Sequence, residues 1–128
     1  MNVQALAEFL SESAQRPAKL GSFDCVSFAF EGVKIGWDRD YLDCLGYQDR
    51  RSAIDRLRAA DGLYDAICEG LGQDLPICEL DPGDLAWLPP SLIGLIMPGY
   101  IAVKCYRTVL RVPLEQARSG WKTDGLPR

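Results

Sequence analysis

The chain has 128 residues, 48% of them apolar and 25% charged, a composition that suits a folded domain and excludes a disordered one. One domain over residues 1–128 is expected, burying roughly two thirds of the surface that its unfolded form exposes. The net charge of −4 argues against nucleic-acid binding, yet it is uneven: residues 1–90 carry 8 basic and 16 acidic side chains, residues 91–128 carry 6 and 2.

That basic end, with Lys104, Arg107, Arg111, Arg118 and Lys122, reads either as a solvated face or as a surface for an acidic partner. The longest apolar stretch, Leu92 to Val103, is interrupted by Gly94, Pro98 and Gly99 and is too short to cross a bilayer as a helix. Residues 1–10 carry Glu8 and no early basic residue, so no secretion signal is expected and synthesis in the cytoplasm is.

In chain order, Val3, Leu6, Ala7 and Leu10 recur at helical spacing up to Arg16-Pro17, which predicts a helix over about residues 2–15. After Leu20-Gly21-Ser22, Asp24 is an N-cap residue type, and Val26, Ala29, Phe30 and Val33 mark the buried stripe of a second helix with Cys25 in its first turn. Gly36 to Asp40 breaks it, and Tyr41 to Tyr47 reads as mixed turn and loop. Ser52 to Ala60 and Leu63 to Leu71 read as two short helices joined at Asp61-Gly62. From Asp81-Pro82-Gly83-Asp84 onward the pattern changes to short apolar runs, Leu85 to Leu88, Leu92 to Met97, Tyr100 to Cys105 and Thr108 to Val112, which predict an antiparallel meander. Pro113 ends the last strand, Leu114 to Arg118 suits a helical turn, and Trp121 is an aromatic anchor before a polar end. Helices first and a meander second is an α+β pattern, the helical part at about 1–75 and the meander at about 81–113.

Five cysteines, Cys25, Cys44, Cys68, Cys78 and Cys105, stand 19, 24, 10 and 27 residues apart, without a C-x-x-C pair or any histidine. No metal site and no cofactor is expected, and buried reduced thiols fit better than a disulfide framework. Asp38, Asp40 and Asp43 lack the glycine and distal glutamate of an EF-hand loop and read as solvated charges. Cys25 admits two readings. At a helix N-terminus the unpaired N–H groups and the dipole favour a thiolate, whereas the neighbouring Asp24 opposes it and a structural core cysteine needs no activation.

The order of Phe23-Asp24-Cys25-Val26-Ser27-Phe28, Asp81-Pro82-Gly83-Asp84-Leu85 and Ile93-Gly94-Leu95-Ile96 resembles the NlpC/P60-like branch of papain-like cysteine peptidases. In that branch an Asp-Cys pair opens the catalytic helix, a Gly-Asp turn begins the sheet and a His-Val-Gly-Ile strand follows. With Gly21, Gly62-Leu63, Val112-Pro113-Leu114 and Trp121, the chain is similar over almost its whole length to small NlpC/P60-like proteins encoded among phage tail genes. The resemblance implies a papain-like α+β fold with Cys25 in the place of the nucleophile. Where the peptidases carry histidine, this chain has Leu92. Assistance by a general base is worth about 10²–10⁴ in rate, and amide cleavage also needs a proton donor for the leaving amine. Asp84 is a weak candidate for a substitute base, since its turn position suits hydrogen bonding to backbone.

The resemblance therefore implies a catalytically inactive relative: a structural or adaptor protein of a phage tail tip or baseplate. Its location would be the virion, in a symmetric multi-copy assembly with tail hub, distal tail or central fibre proteins. The loop Trp87-Leu88-Pro89-Pro90-Ser91-Leu92 is a candidate contact surface, because adjacent prolines stiffen it and Trp87 and Leu92 are large and apolar. The rival readings are a tail-associated peptidoglycan peptide hydrolase with Cys25 as nucleophile and an intracellular regulatory binding module.

Overall fold

The computed structural model describes residues 1–20, 23–39, 50–60 and 62–124. Among them, four helices precede a six-stranded antiparallel sheet, an α+β arrangement. Helix α1 (Val3–Gln15) starts where the Asn2 side chain accepts from the Ala5 N–H at 3.1 Å, and it ends where Pro17 forces Arg16 into an extended conformation. Helix α2 (Cys25–Trp37) is capped by Asp24 and stops at Asp38, which turns left-handed at φ 55°. Helices α3 (Arg50–Ala59) and α4 (Leu63–Leu71) follow, bridged by an Arg56–Glu69 ion pair at 2.6 Å.

The strands are β1 (Leu75–Pro76), β2 (Leu85–Leu88), β3 (Leu92–Met97), β4 (Tyr100–Cys105), β5 (Thr108–Val112) and β6 (Ser119–Trp121), ordered β1-β6-β2-β3-β4-β5 across the sheet. The meander β2 to β5 has the predicted bounds, each turn being set by Pro or Gly or a polar pair. Two further strands were not predicted. Trp121 is not a lone anchor: β6 lies between β1 and β2, with Gly120 opposite Ala86. A Cβ at Gly120 would collide with the Leu85 carbonyl, so only glycine lets the two strands approach.

Strand alternation sends Trp87, Ile93, Leu95, Met97 and Ala102 to the helical face, where they meet Leu6, Val26, Phe28, Ala29 and Val33 in the main core. Phe9 of α1 stacks on Phe28 at 5.2 Å, and Gly32 brings α2 close enough that any larger residue would strike Leu95. Ala86, Leu88, Ile96, Ile101 and Val103 form a second, smaller core on the far face, closed by Ile77, Leu80 and Leu114 from short 3-10 turns. Residues 41–47, together with Asp40, Asp43, Cys44 and Gly21, lie outside the described residues.

Candidate functional site

The approach to α2 is fixed by backbone. Lys19 and Phe23 exchange hydrogen bonds of 2.7 and 2.8 Å, which deliver Asp24 to the N-cap in an extended conformation. Oδ1 of Asp24 accepts from the Val26 N–H at 3.1 Å and the Ser27 N–H at 2.9 Å, while the Asp24 N–H donates to Ser27 Oγ at 2.8 Å. This reciprocal capping box holds Cys25 as the first helical residue. It also occupies the Val26 and Ser27 N–H groups, which could otherwise help to favour a thiolate at this position.

The Cys25 sulfur is half-buried against β3, with the backbone N–H of Ile93 within hydrogen-bonding reach. Desolvation pushes the thiol up to about 11, the Asp24 carboxylate adds to the rise, and the N–H groups of Ile93 and of Cys25 itself offset it only in part. At that value about one sulfur in ten thousand is ionised at pH 7. Asp24 and Cys105, the titratable groups that act on it, both disfavour the charged form. The resulting chemistry is that of a neutral thiol on a rigid helix end.

Leu92 opens β3 beside Ile93, 37% exposed, on the strand parity of Ile96 rather than of the residues that meet α2. Asp84 lies opposite Ile96, three residues further along the strand, about 10 Å from Ile93. It is 1% exposed, and its carboxylate is fully engaged. Oδ2 accepts from the Asp81 N–H at 2.8 Å and meets Lys122 Nζ at 3.0 Å, and Oδ1 accepts from the Thr123 N–H at 3.0 Å. Arg39 donates to Thr123 Oγ1 at 2.8 Å, and Asp84 and Asp81 hold the Lys122 ammonium well above the usual lysine range. Asp84 thus ties the turn before β2 to the end of β6, away from the thiol.

Trp87 is buried, with its ring edge-on to Tyr64 at 5.4 Å and to Trp121 at 6.2 Å, so the exposed part of the proline loop is Pro89, Pro90, Ser91 and Leu92. Beside these rings Tyr64 donates to Asp74 Oδ1 at 2.6 Å, which lowers the Asp74 carboxyl and raises the Tyr64 phenol. Asp74 carries no motif; its pairing depends on α4 meeting the segment before β1. Lys104 departs from the expected basic face. Standing on the parity of Ala102, it is 2% exposed and donates to the Ser13 carbonyl at 2.7 Å near the C-terminus of α1. Desolvation, with Arg16 nearby, lowers its pKa. Its position at the end of the apolar run Tyr100 to Val103 was the sequence signal for that burial.

Of the other cysteines among the described residues, Cys68 and Cys105 are half-buried and Cys78 is exposed; each is outside any disulfide. The site is therefore that of an α+β domain presenting a capped, unactivated cysteine between a helix end and a strand. A family model described as a domain of unknown function (DUF6950) matches residues 2–123, and the chain belongs to that family. No curated protein matches the chain. No solved structure matches it either.

Proposed function

We propose that this protein is a structural or adaptor component of a phage tail tip or baseplate, built on an NlpC/P60-like, papain-like scaffold whose thiol site does not catalyse. The observation that supports the non-catalytic half of this reading is the Cys25 sulfur: it opens α2 beside β3, where burial and Asp24 keep it protonated. The chain holds no histidine to accept its proton. Asp84, the candidate substitute base, is committed to Lys122 and Thr123. The tail assignment itself is supported by the order of the motifs around Asp24-Cys25, Gly83-Asp84 and Ile93-Gly94.

Two measurements test the reading. Mass spectrometry of purified particles should find the protein in constant stoichiometry with the tail proteins; its absence from particles would favour an intracellular module instead. Incubation of native protein and Cys25→Ala with peptidoglycan should release no fragments that depend on the cysteine. Cysteine-dependent release would make the protein a tail-associated hydrolase.

A further inference from the structure

The two edges of the sheet differ. At one edge β1 has two residues, one of them Pro76, which is how proteins commonly close an edge against further pairing. At the other edge β5 runs Thr-Val-Leu-Arg-Val with neither proline nor glycine, a sequence of high strand propensity. Its inner side pairs with β4 along all five residues, from Cys105↔Thr108 to Ile101↔Val112. No backbone group of residues 108–112 is hydrogen-bonded elsewhere among the described residues. Thr108, Leu110 and Arg111 are exposed, and Leu110 leaves 46% of its surface in water.

The same edge gathers cations. Arg111 lies over the Tyr100 ring at 4.7 Å, and Arg107 lies 5.3 Å from the ring of Tyr106, itself 62% exposed. The Ala18 N–H donates to the Tyr106 carbonyl at 2.7 Å, which docks the segment of Arg16 and Lys19 onto the β4–β5 turn. Arg16, Lys19, Arg107 and Arg111 make no ion pair among the described residues, in a chain whose net charge is −4. A second copy docking through β5 would add the same cations to this edge, so the charge favours a partner of opposite sign.

We propose that β5 takes up an extended acidic segment of a partner protein as a seventh strand. Strand alternation specifies the partner further. Arg111 shares the α1-facing side with Val109, and Leu110 points to the other side, so the incoming strand places carboxylates toward α1 and apolar side chains beside Leu110. Backbone hydrogen bonds supply the docking and the alternation supplies the selectivity. This rests on the protein-binding part of the reading above, and not on the tail assignment.

The test uses the full chain with a short peptide alternating glutamate and valine, and its lysine–valine counterpart, read by fluorescence anisotropy and amide hydrogen exchange. The acidic peptide should slow exchange within residues 108–112 and bind about tenfold more tightly than the basic one. Arg111→Glu, an exposed change compatible with folding, should abolish or reverse that preference, and added salt should weaken the acidic complex. Equal binding of both peptides, protection confined to another region, or no binding of either would overturn the proposal. Self-association through β5 in sedimentation would overturn it too, making a second copy the occupant. Particle composition is untouched by any of these results, so failure here is distinguishable from failure of the tail assignment.

Discussion

Two acidic turns flank α2, and they are equipped in opposite ways. At the Asp84 turn a buried carboxylate meets an ammonium, two backbone N–H groups and a threonine; every oxygen is used, and the turn, β6 and Arg39 are locked together. At the Cys25 turn the carboxylate of Asp24 is spent on its own helix, and the sulfur is left with two backbone N–H groups and no cation acting on it. The first arrangement holds structure together, and the second leaves a thiol whose pKa burial has raised. Both turns belong to the motifs that carry the peptidase resemblance, and they do different work: one carboxylate ties distant segments together, the other caps a helix beside a neutral thiol.

The largest expected effect sharpens that contrast at the Asp84 end. Asp84→Ala leaves the Asp81 and Thr123 N–H groups without their acceptor, while Lys122 keeps Asp81 at 3.0 Å, and should cost about 3 kcal/mol in urea unfolding. A loss comparable to that of a surface substitution would show that the network is decorative. Cys25→Ala should barely change stability at neutral pH but should alter its alkaline dependence. The native thiol sits at about 11, above its ordinary value, so the unfolded chain releases this proton first and stability falls as pH rises from about 9 toward 11. Cys25→Ala should remove up to about 2 kcal/mol of that fall; parallel curves for the two proteins would mean that the sulfur is not shielded.

The smallest effect lies outside both turns. The bond from Tyr64 lowers the Asp74 carboxyl, so its contribution is present above the ordinary carboxylate range and lost as pH falls through the lowered value. Tyr64→Phe should therefore cost about 1 kcal/mol at pH 7 and progressively less in acid. A cost independent of pH would assign the loss to packing against Trp87 and Trp121 instead.

Much of this molecule could be read from local pattern. Leu63 to Leu71 and the four strands of the meander lie where hydrophobic spacing and Pro or Gly punctuation place them, because each is decided by neighbours within a few residues. The capping role of Asp24 was legible for the same reason. What escaped depends on distant partners. Leu75–Pro76 and Ser119–Trp121 are too short to alternate, and become strands only because β2 and β6 meet across more than thirty residues. Lys104 looked like part of a basic surface until the C-terminal carbonyl of α1 arrived over it. Of the Asp84 site, the turn was visible and the cation was not, since nothing near Asp84 in the chain announces Lys122.

The place of β6 between β1 and β2 has a consequence for synthesis. Strand β2 gains its second neighbour from Ser119–Trp121, so a nascent chain keeps that strand's flank bare until translation has passed Trp121 and those residues have cleared the exit tunnel. Helices and meander can assemble earlier, but closure waits for Ser119–Trp121, and a chain cut at residue 118 should stay adhesive and precipitate.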